Sequence, residues 1–298
     1  MDIRKEKDRI ERALALAEAQ RPAYAGLYPL LKPLFLLQTE MKAKLNLDPV
    51  AATPEAVEAK WRKGDPLIKR WDFPIDAAAA ESLLRAMEGH VPADNQALKT
   101  GLRALLHALD THPHEKATLW RSFLQHEMEP WEQWVDAGDA DAASLLFWAR
   151  NGNRPSIEWT AERLLERFPL PKEWSKGYCS VCGSLPSLLF MEGEGERKAY
   201  CSWCGTVWGL HRLQCPQCDN RAHESLGYLY VEAEPQHRIQ YCNLCKVYFK
   251  LIDVRERLEP PYLPLEEWTT LHLDLIAQRA GWRQPSSPAP AIYGASEA

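Results

Sequence analysis

Four Cys-x-x-Cys pairs, Cys179/Cys182, Cys201/Cys204, Cys215/Cys218 and Cys242/Cys245, hold all eight cysteines of this 298-residue chain. A Cys-x-x-Cys pair closes a tight turn that aims two sulfurs at one ion, and a second such turn across a hairpin completes a tetrahedron. The pattern therefore predicts two four-thiolate sites able to hold zinc or a single iron. Disulfides are the competing reading of eight cysteines, but they belong to oxidising compartments and small secreted scaffolds, whereas this chain has no cysteine before residue 179.

An internal duplication decides which pairs share an ion. Cys179 to Cys204 runs as knuckle, strand (Pro186 to Phe190), acidic turn (Glu192 to Glu196), strand (Arg197 to Tyr200), knuckle; Cys215 to Cys245 repeats the plan with strands Ser225 to Val231 and His237 to Tyr241 around a turn at Ala233-Glu234-Pro235. Eighteen residues separate Cys182 from Cys201 and 23 separate Cys218 from Cys242, both hairpin lengths, against ten between Cys204 and Cys215. The assignment is Cys179, Cys182, Cys201 and Cys204 to the first site and Cys215, Cys218, Cys242 and Cys245 to the second, with joining of the first and third pairs as the alternative. Gly183 and Gly205 follow the first site's second cysteines, where a positive φ turns backbone N–H groups toward sulfur. Asp219 and Lys246 stand there in the second, and since lysine adopts that conformation less readily, the second site is expected to be looser.

A closed shell of four sulfurs leaves no open position for a substrate, so hydrolytic metal catalysis is disfavoured. Modules of about 30 residues have too little core to fold unaided, so metal binding there is also folding energy. Other chemistry is scarce. His112, His114 and His126 lie on a helical segment and read as bystanders; His211 and His223 flank the second ribbon and read as surface or supporting groups, since four sulfurs already complete the shell. No phosphate loop, dinucleotide fingerprint or nucleophile elbow is visible, and the chain reads as a non-enzyme.

Residues 2 to 168 read as about seven helices, with apolar residues at three- and four-residue spacing (Ile10, Ala13, Leu14, Ala17; Leu102, Leu105, Leu106, Leu109). Breakers divide the run at Pro22, Pro29, Pro33, Gly64-Asp65-Pro66, Phe73-Pro74, Val91-Pro92, His112-Pro113 and Gly138, and Pro74-Ile75-Asp76 and Pro92-Ala93-Asp94 read as helix starts. Trp61, Trp71, Trp120, Trp131, Trp134, Trp148 and Trp159 serve core packing, with a partner-binding face as the sharper alternative. Phe168-Pro169-Leu170-Pro171 ends the helical half. A helix from Leu265 to Ala280, with an apolar stripe of Leu271, Leu275 and Ile276, stops at Gly281, and Gln284 to Ala291 reads as a loose tail. The fold class is α+β multidomain: an all-helical domain (1–171), two tandem rubredoxin-like or zinc-ribbon modules (172–213 and 214–256), and a C-terminal helix with a tail (257–298).

Net charge is −5 and spread over both halves, and each filled four-cysteine site adds a formal −2, so a phosphate backbone is a poor partner. The charged start Met1-Asp2-Ile3-Arg4-Lys5 lacks the apolar stretch of a secretory signal, and no apolar run approaches the roughly 20 residues that span a bilayer; a cytoplasmic protein without membrane insertion is expected.

At Cys179-Ser-Val-Cys-Gly-Ser-Leu-Pro186, Tyr200-Cys-Ser-Trp-Cys-Gly-Thr-Val-Trp208 with Arg212 to Cys218, Tyr241-Cys-Asn-Leu-Cys-Lys-Val-Tyr-Phe-Lys250 with Ile252-Asp253, and Leu271-His-Leu-Asp-Leu275, the sequence resembles the formate dehydrogenase accessory protein family, FdhE. The resemblance covers about the last 40% of the chain specifically. It implies a cytoplasmic maturation factor that binds the catalytic subunit of a respiratory formate dehydrogenase before twin-arginine export, with iron at rubredoxin-like sites. The eight cysteines carry over as ligands and no catalytic residue does. The competing readings are a zinc-ribbon adaptor or nucleic-acid-binding protein, and a rubredoxin-like electron carrier or thiol-redox protein.

Overall fold

The computed structural model describes residues 2–125, 140–231 and 234–285. The chain divides into two compact units, one of Met1–Val50 with Arg70–Thr160, the other of Ala51–Lys69 with Ala161–Ala298.

The first unit is helical. α1 (Ile3–Gln20) starts where the Asp2 carboxylate accepts from the N–H groups of Arg4 and Lys5, and it buries Ile10, Leu14 and Ala17. α2 (Tyr28–Lys44) runs through two of the expected breakers: Pro29 sits in its first turn, where no N–H is needed, and Pro33 lies inside it. Beyond α3 (Pro54–Lys63), which belongs to the other unit, Asp76 caps α4 (Ala77–Met87) and Asn95 caps α5 (Gln96–Thr111). Both starts therefore fall slightly later than the proline-led signals placed them. α6 (Lys116–Gln125) and α7 (Ala142–Arg167) follow, making seven α-helices among the described residues before Phe168. Trp120 and Trp148 are fully buried, and Trp61, Trp71 and Trp159 are half-buried; Trp131, Trp134, His126 and Gly138 lie outside the described residues.

Within α7, Pro155 has no N–H to offer the carbonyl four residues back. That carbonyl, of Asn151, accepts instead from Gln38 Nε2 at 3.0 Å, and the same amide reaches Asn151 Oδ1 at 3.1 Å. One turn further on, Glu158 receives Arg154 Nε at 2.6 Å and Lys42 Nζ at 3.3 Å. Burial opposes its ionisation, yet the two cations hold the carboxyl down at about 2.

In the second unit each repeat forms three strands where two were expected. β1 (Leu188–Glu192), β2 (Glu196–Tyr200) and β3 (Val207–Leu210) form one antiparallel meander, and β4 (Leu226–Tyr230), β5 (His237–Cys242) and β6 (Tyr248–Asp253) form the other. The segments leaving the second and fourth knuckles are the third strands. The two meanders make one six-stranded sheet, ordered β3-β2-β1-β6-β5-β4, through parallel pairing of β1 with β6 from Leu188↔Lys250 to Met191↔Asp253. Leu188, Phe190, Tyr200, Ile252 and Val254 form a core on both sides of that junction.

The expected helix from Leu265 to Ala280 is two helices, α8 (Leu263–Trp268) and α9 (Leu271–Arg279). The hydroxyls of the buried Thr269 and Thr270 bond back to the carbonyls of Leu265 and Glu266 at the break. The expected apolar stripe is overturned as well: Leu271, Leu275 and Ile276 are exposed, and α9 packs through Leu273 and Ala277 onto Ile239 and Tyr248. Gly281, at φ 88°, ends it as expected. No described helix is long and apolar enough to cross a membrane.

Candidate metal centres

All four Cys-x-x-Cys pairs fold into the same turn. In each, the N–H of the residue after the second cysteine donates to the first cysteine's carbonyl: Gly183 to Cys179, Gly205 to Cys201, Asp219 to Cys215 and Lys246 to Cys242, at 2.8–2.9 Å. In each, the first cysteine's N–H donates to the carbonyl five residues on, of Ser184, Thr206, Asn220 and Val247, again at 2.8–2.9 Å. The turn requires a left-handed residue after the second cysteine. Gly183, Gly205, Asp219 and Lys246 have φ of 74°, 76°, 57° and 60°, the last two being the non-glycine residues with positive φ among those described.

The hairpins bring these turns together in the pairing that the repeat assigns. Cys179, Cys182, Cys201 and Cys204 form one group and Cys215, Cys218, Cys242 and Cys245 the other, with the sulfurs of each group within 4.8 Å of one another. Across the first quartet Cys179 and Cys204 lie 3.6 Å apart and Cys182 and Cys201 3.5 Å; across the second the separations are 3.6 Å (Cys215, Cys245) and 3.8 Å (Cys218, Cys242). Sulfurs 2.3 Å from a central ion stand about 3.8 Å apart along a tetrahedron's edge, whereas a disulfide needs about 2.05 Å. The cysteines are free thiols, and their spacing and donor set fit one tetrahedral ion per quartet.

The surroundings of the two quartets differ. All four cysteines of the first are buried, and two hydroxyls from the knuckles lie on its sulfurs: Ser184 Oγ at 3.3 Å from Cys182 Sγ and Thr206 Oγ1 at 3.1 Å from Cys204 Sγ. Burial pushes the Cys179 and Cys204 thiols well above their usual range, so an entering ion must displace protons. A segment far away in sequence covers the first knuckle. The N–H groups of Leu67 and Ile68 donate to the carbonyls of Ser180 and Val181 at 3.0 and 2.9 Å, Trp61 Nε1 donates to Ser180 O at 3.3 Å, and Tyr178 Oη donates to Gly64 O at 2.8 Å. These contacts place Ala51–Lys69 in the cysteine-bearing unit. Trp61, read from sequence as packing between helices, is part of this cover.

In the second quartet Cys215 and Cys242 are buried, Cys245 is half-buried and Cys218 is exposed. Leu244, between the cysteines of the last knuckle, is 69% exposed. Among the described residues Asn220 Nδ2 reaches a sulfur here, Cys242 Sγ at 3.6 Å; Val247, at the position equivalent to Thr206, has no polar side-chain group to offer. Burial raises the Cys215 thiol, and raises Cys245 to about 11. At Cys242 burial acts in the same sense, but the N–H groups of Cys245 and Leu244 and the Asn220 amide outweigh it and hold the thiol at about 7. Around the last knuckle Arg283 Nη2 donates to Cys245 O at 3.1 Å, and Lys246 Nζ lies 5.2 Å from the centroid of Trp282, which stacks on Tyr241.

Among the described residues no histidine falls in either quartet. His223 is exposed beside Glu224, and His112 bonds within the end of α5. His237, which the sequence did not single out, is buried with Nδ1 3.0 Å from Glu234 Oε2. The acidic turn at Glu192–Glu196 is an exposed hairpin end in which Lys198 pairs with Glu192.

No family profile matches the chain. It is 39% identical to the FdhE homolog of Aquifex aeolicus over 116 residues, 37% of this chain and 40% of that protein. It is 28% identical to the FdhE homolog of Pectobacterium atrosepticum over 220 residues, 72% of this chain and 65% of that protein. The matches thus span about half the length of these curated relatives. The crystal structure of the FdhE protein from Pseudomonas aeruginosa superposes with a TM-score of 0.67 at 22% identity, covering 94% of this chain and 93% of that one, and so shares its fold. With two four-sulfur clusters in an α+β chain, the protein resembles FdhE proteins in sequence over part of its length and shares the fold of one of them.

Proposed function

We propose that the protein is a cytoplasmic, non-enzymatic maturation factor for a respiratory formate dehydrogenase, and that it binds the catalytic subunit before export and carries two mononuclear four-cysteine iron sites. The observation that carries this reading is the pair of preformed sulfur quartets in a chain related to FdhE proteins. In this reading residues 1–171 form the body that holds the client, 172–213 and 214–256 the two metal modules, and 257–298 the C-terminal segment, with all eight cysteines as ligands.

Four-thiolate iron supplies one-electron redox chemistry, which zinc in the same shell does not. The chain's own part is to set sulfurs at tetrahedral spacing, exclude water from the first quartet, and present the edge of the second at Cys218 and Leu244. An exposed thiolate edge suits work on a client's active-site cysteine or selenocysteine. The complete burial of the first quartet favours a second reading for that site alone, a zinc ion that clips the fold.

The test is anaerobic co-purification with tagged formate dehydrogenase catalytic subunit, with iron and zinc quantified in the same sample. Stoichiometric complex with iron supports the proposal. A chain that carries zinc at both sites and ignores the subunit replaces it with the adaptor reading.

A further inference from the structure

One buried cation of the first repeat reaches into the second. Arg197, on β2, is 4% exposed. Its Nη1 donates to the carbonyls of His211 and Gln214 at 2.7 and 3.0 Å, and its Nη2 to Gln240 Oε1 at 2.6 Å. Gln214 immediately precedes Cys215, and Gln240 stands two residues before Cys242, so one guanidinium ties the approaches to both knuckles of the second quartet. Gln214 extends the network. Its amide donates to Asp219 Oδ1, just after Cys218, at 2.6 Å and to Ser175 O, ahead of the first knuckle, at 2.9 Å, and Gln240 Nε2 closes the ring on Gln214 O at 3.3 Å. The backbones interlock at the same place: a Cβ on Gly177 would lie 2.0 Å from the carbonyl oxygen of Pro216, inside the third knuckle.

The charge of Arg197 has no ordinary partner. Among the described residues no carboxylate pairs with it; it is held by carbonyls and an amide, and its Nε is buried without a hydrogen bond. A buried cation without a counter-charge is unfavourable. Burial lowers its pKa to about 10. A filled four-thiolate centre carries a formal −2 and supplies the missing counter-charge.

We infer that Arg197 is the built-in counter-ion and positioning residue of the second four-cysteine centre, so that loading of that centre depends on the folded first repeat. The inference rests on the reading that both quartets hold a metal. The knuckle at Cys179, by contrast, is braced by Trp61, Leu67 and Ile68.

The test is a Co(II) titration of the reduced, metal-free full-length chain, following thiolate-to-metal absorption, with Cys215→Ser/Cys242→Ser marking the first centre. The wild type should take up two ions. Gln240→Glu keeps the shape and satisfies the guanidinium with a buried carboxylate, consuming its charge. It should weaken the second ion about tenfold or more, leave the first unchanged, and leave the melting temperature of the metal-free chain unchanged or raised. Arg197→Met should bind one ion and Arg197→Lys should recover part of the second. Wild-type affinity for both ions in Gln240→Glu, or equal weakening of both, would overturn the inference, and Gln240→Glu alone decides if Arg197→Met does not fold. A wild type that binds no Co(II) would instead overturn the metal reading, and this inference with it.

Discussion

The two sulfur quartets share a backbone and differ in what surrounds them. Each knuckle carries a left-handed residue, and the knuckle hydrogen bonds and cross-quartet separations match to within a few tenths of an ångström, yet the first quartet is wholly buried while the second exposes Cys218. The Cys-x-x-Cys motif thus sets where sulfur goes, and residues outside it set what reaches the sulfur. Here those residues are Trp61, Leu67 and Ile68, and the hydroxyls of Ser184 and Thr206.

The largest expected effect separates the ligands from their surroundings. Replacing Cys201 and Cys204 together by serine should remove the first ion and the order of β1 to β3 with it, since binding to such a site is worth on the order of 10 kcal/mol, and should weaken the second ion as well because Arg197 lies on β2; metal content and thermal melting report this, and retention of two ions would contradict the site assignment. Next, Trp61→Ala strips cover from the first quartet without touching a ligand. A loss of about 2 kcal/mol is expected, together with faster attack on the first quartet by a thiol reagent. In the unmodified protein, a competing chelator should draw metal from the second site at least tenfold faster than from the first, a difference of about 1.4 kcal/mol in barrier. Indistinguishable release phases would erase the contrast.

Smaller effects sharpen it. Thr206→Val should cost about 1 kcal/mol at the first site, and Val247→Thr, offering the matching hydroxyl to Cys245, should slow metal loss from the second. Lys246→Gly relieves a left-handed lysine, worth about 1 kcal/mol, but forfeits its place over Trp282, worth about 0.5 kcal/mol or more. The net gain in second-site retention should be under about 0.5 kcal/mol.

The site was more legible in the sequence than the fold around it. Cysteine spacing and the duplication are local, and they led to the quartets and to the four left-handed positions. Four features depend on partners far along the chain and left no local mark. Val207–Leu210 and Tyr248–Asp253 become strands because neighbours wait for them. β1 and β6 join two repeats that read as separate modules. Pro155 is tolerated because Gln38 serves the carbonyl it abandons. The Leu271, Leu275, Ile276 stripe fits a helical period, but the break at Thr269-Thr270 gives α9 its own start and turns Leu273 and Ala277 inward.

The parallel junction at the middle of the sheet bears on biogenesis. As the polypeptide leaves the ribosome, β1, β2 and β3 can pair with one another at once, but the outer side of β1 has no neighbour until β6, some sixty residues later, has been made. During that interval Leu188, Leu189, Phe190 and Met191 present an apolar strand with one unpaired edge, the kind on which nascent chains aggregate. Truncated products ending between the two repeats should therefore be the ones that require a chaperone.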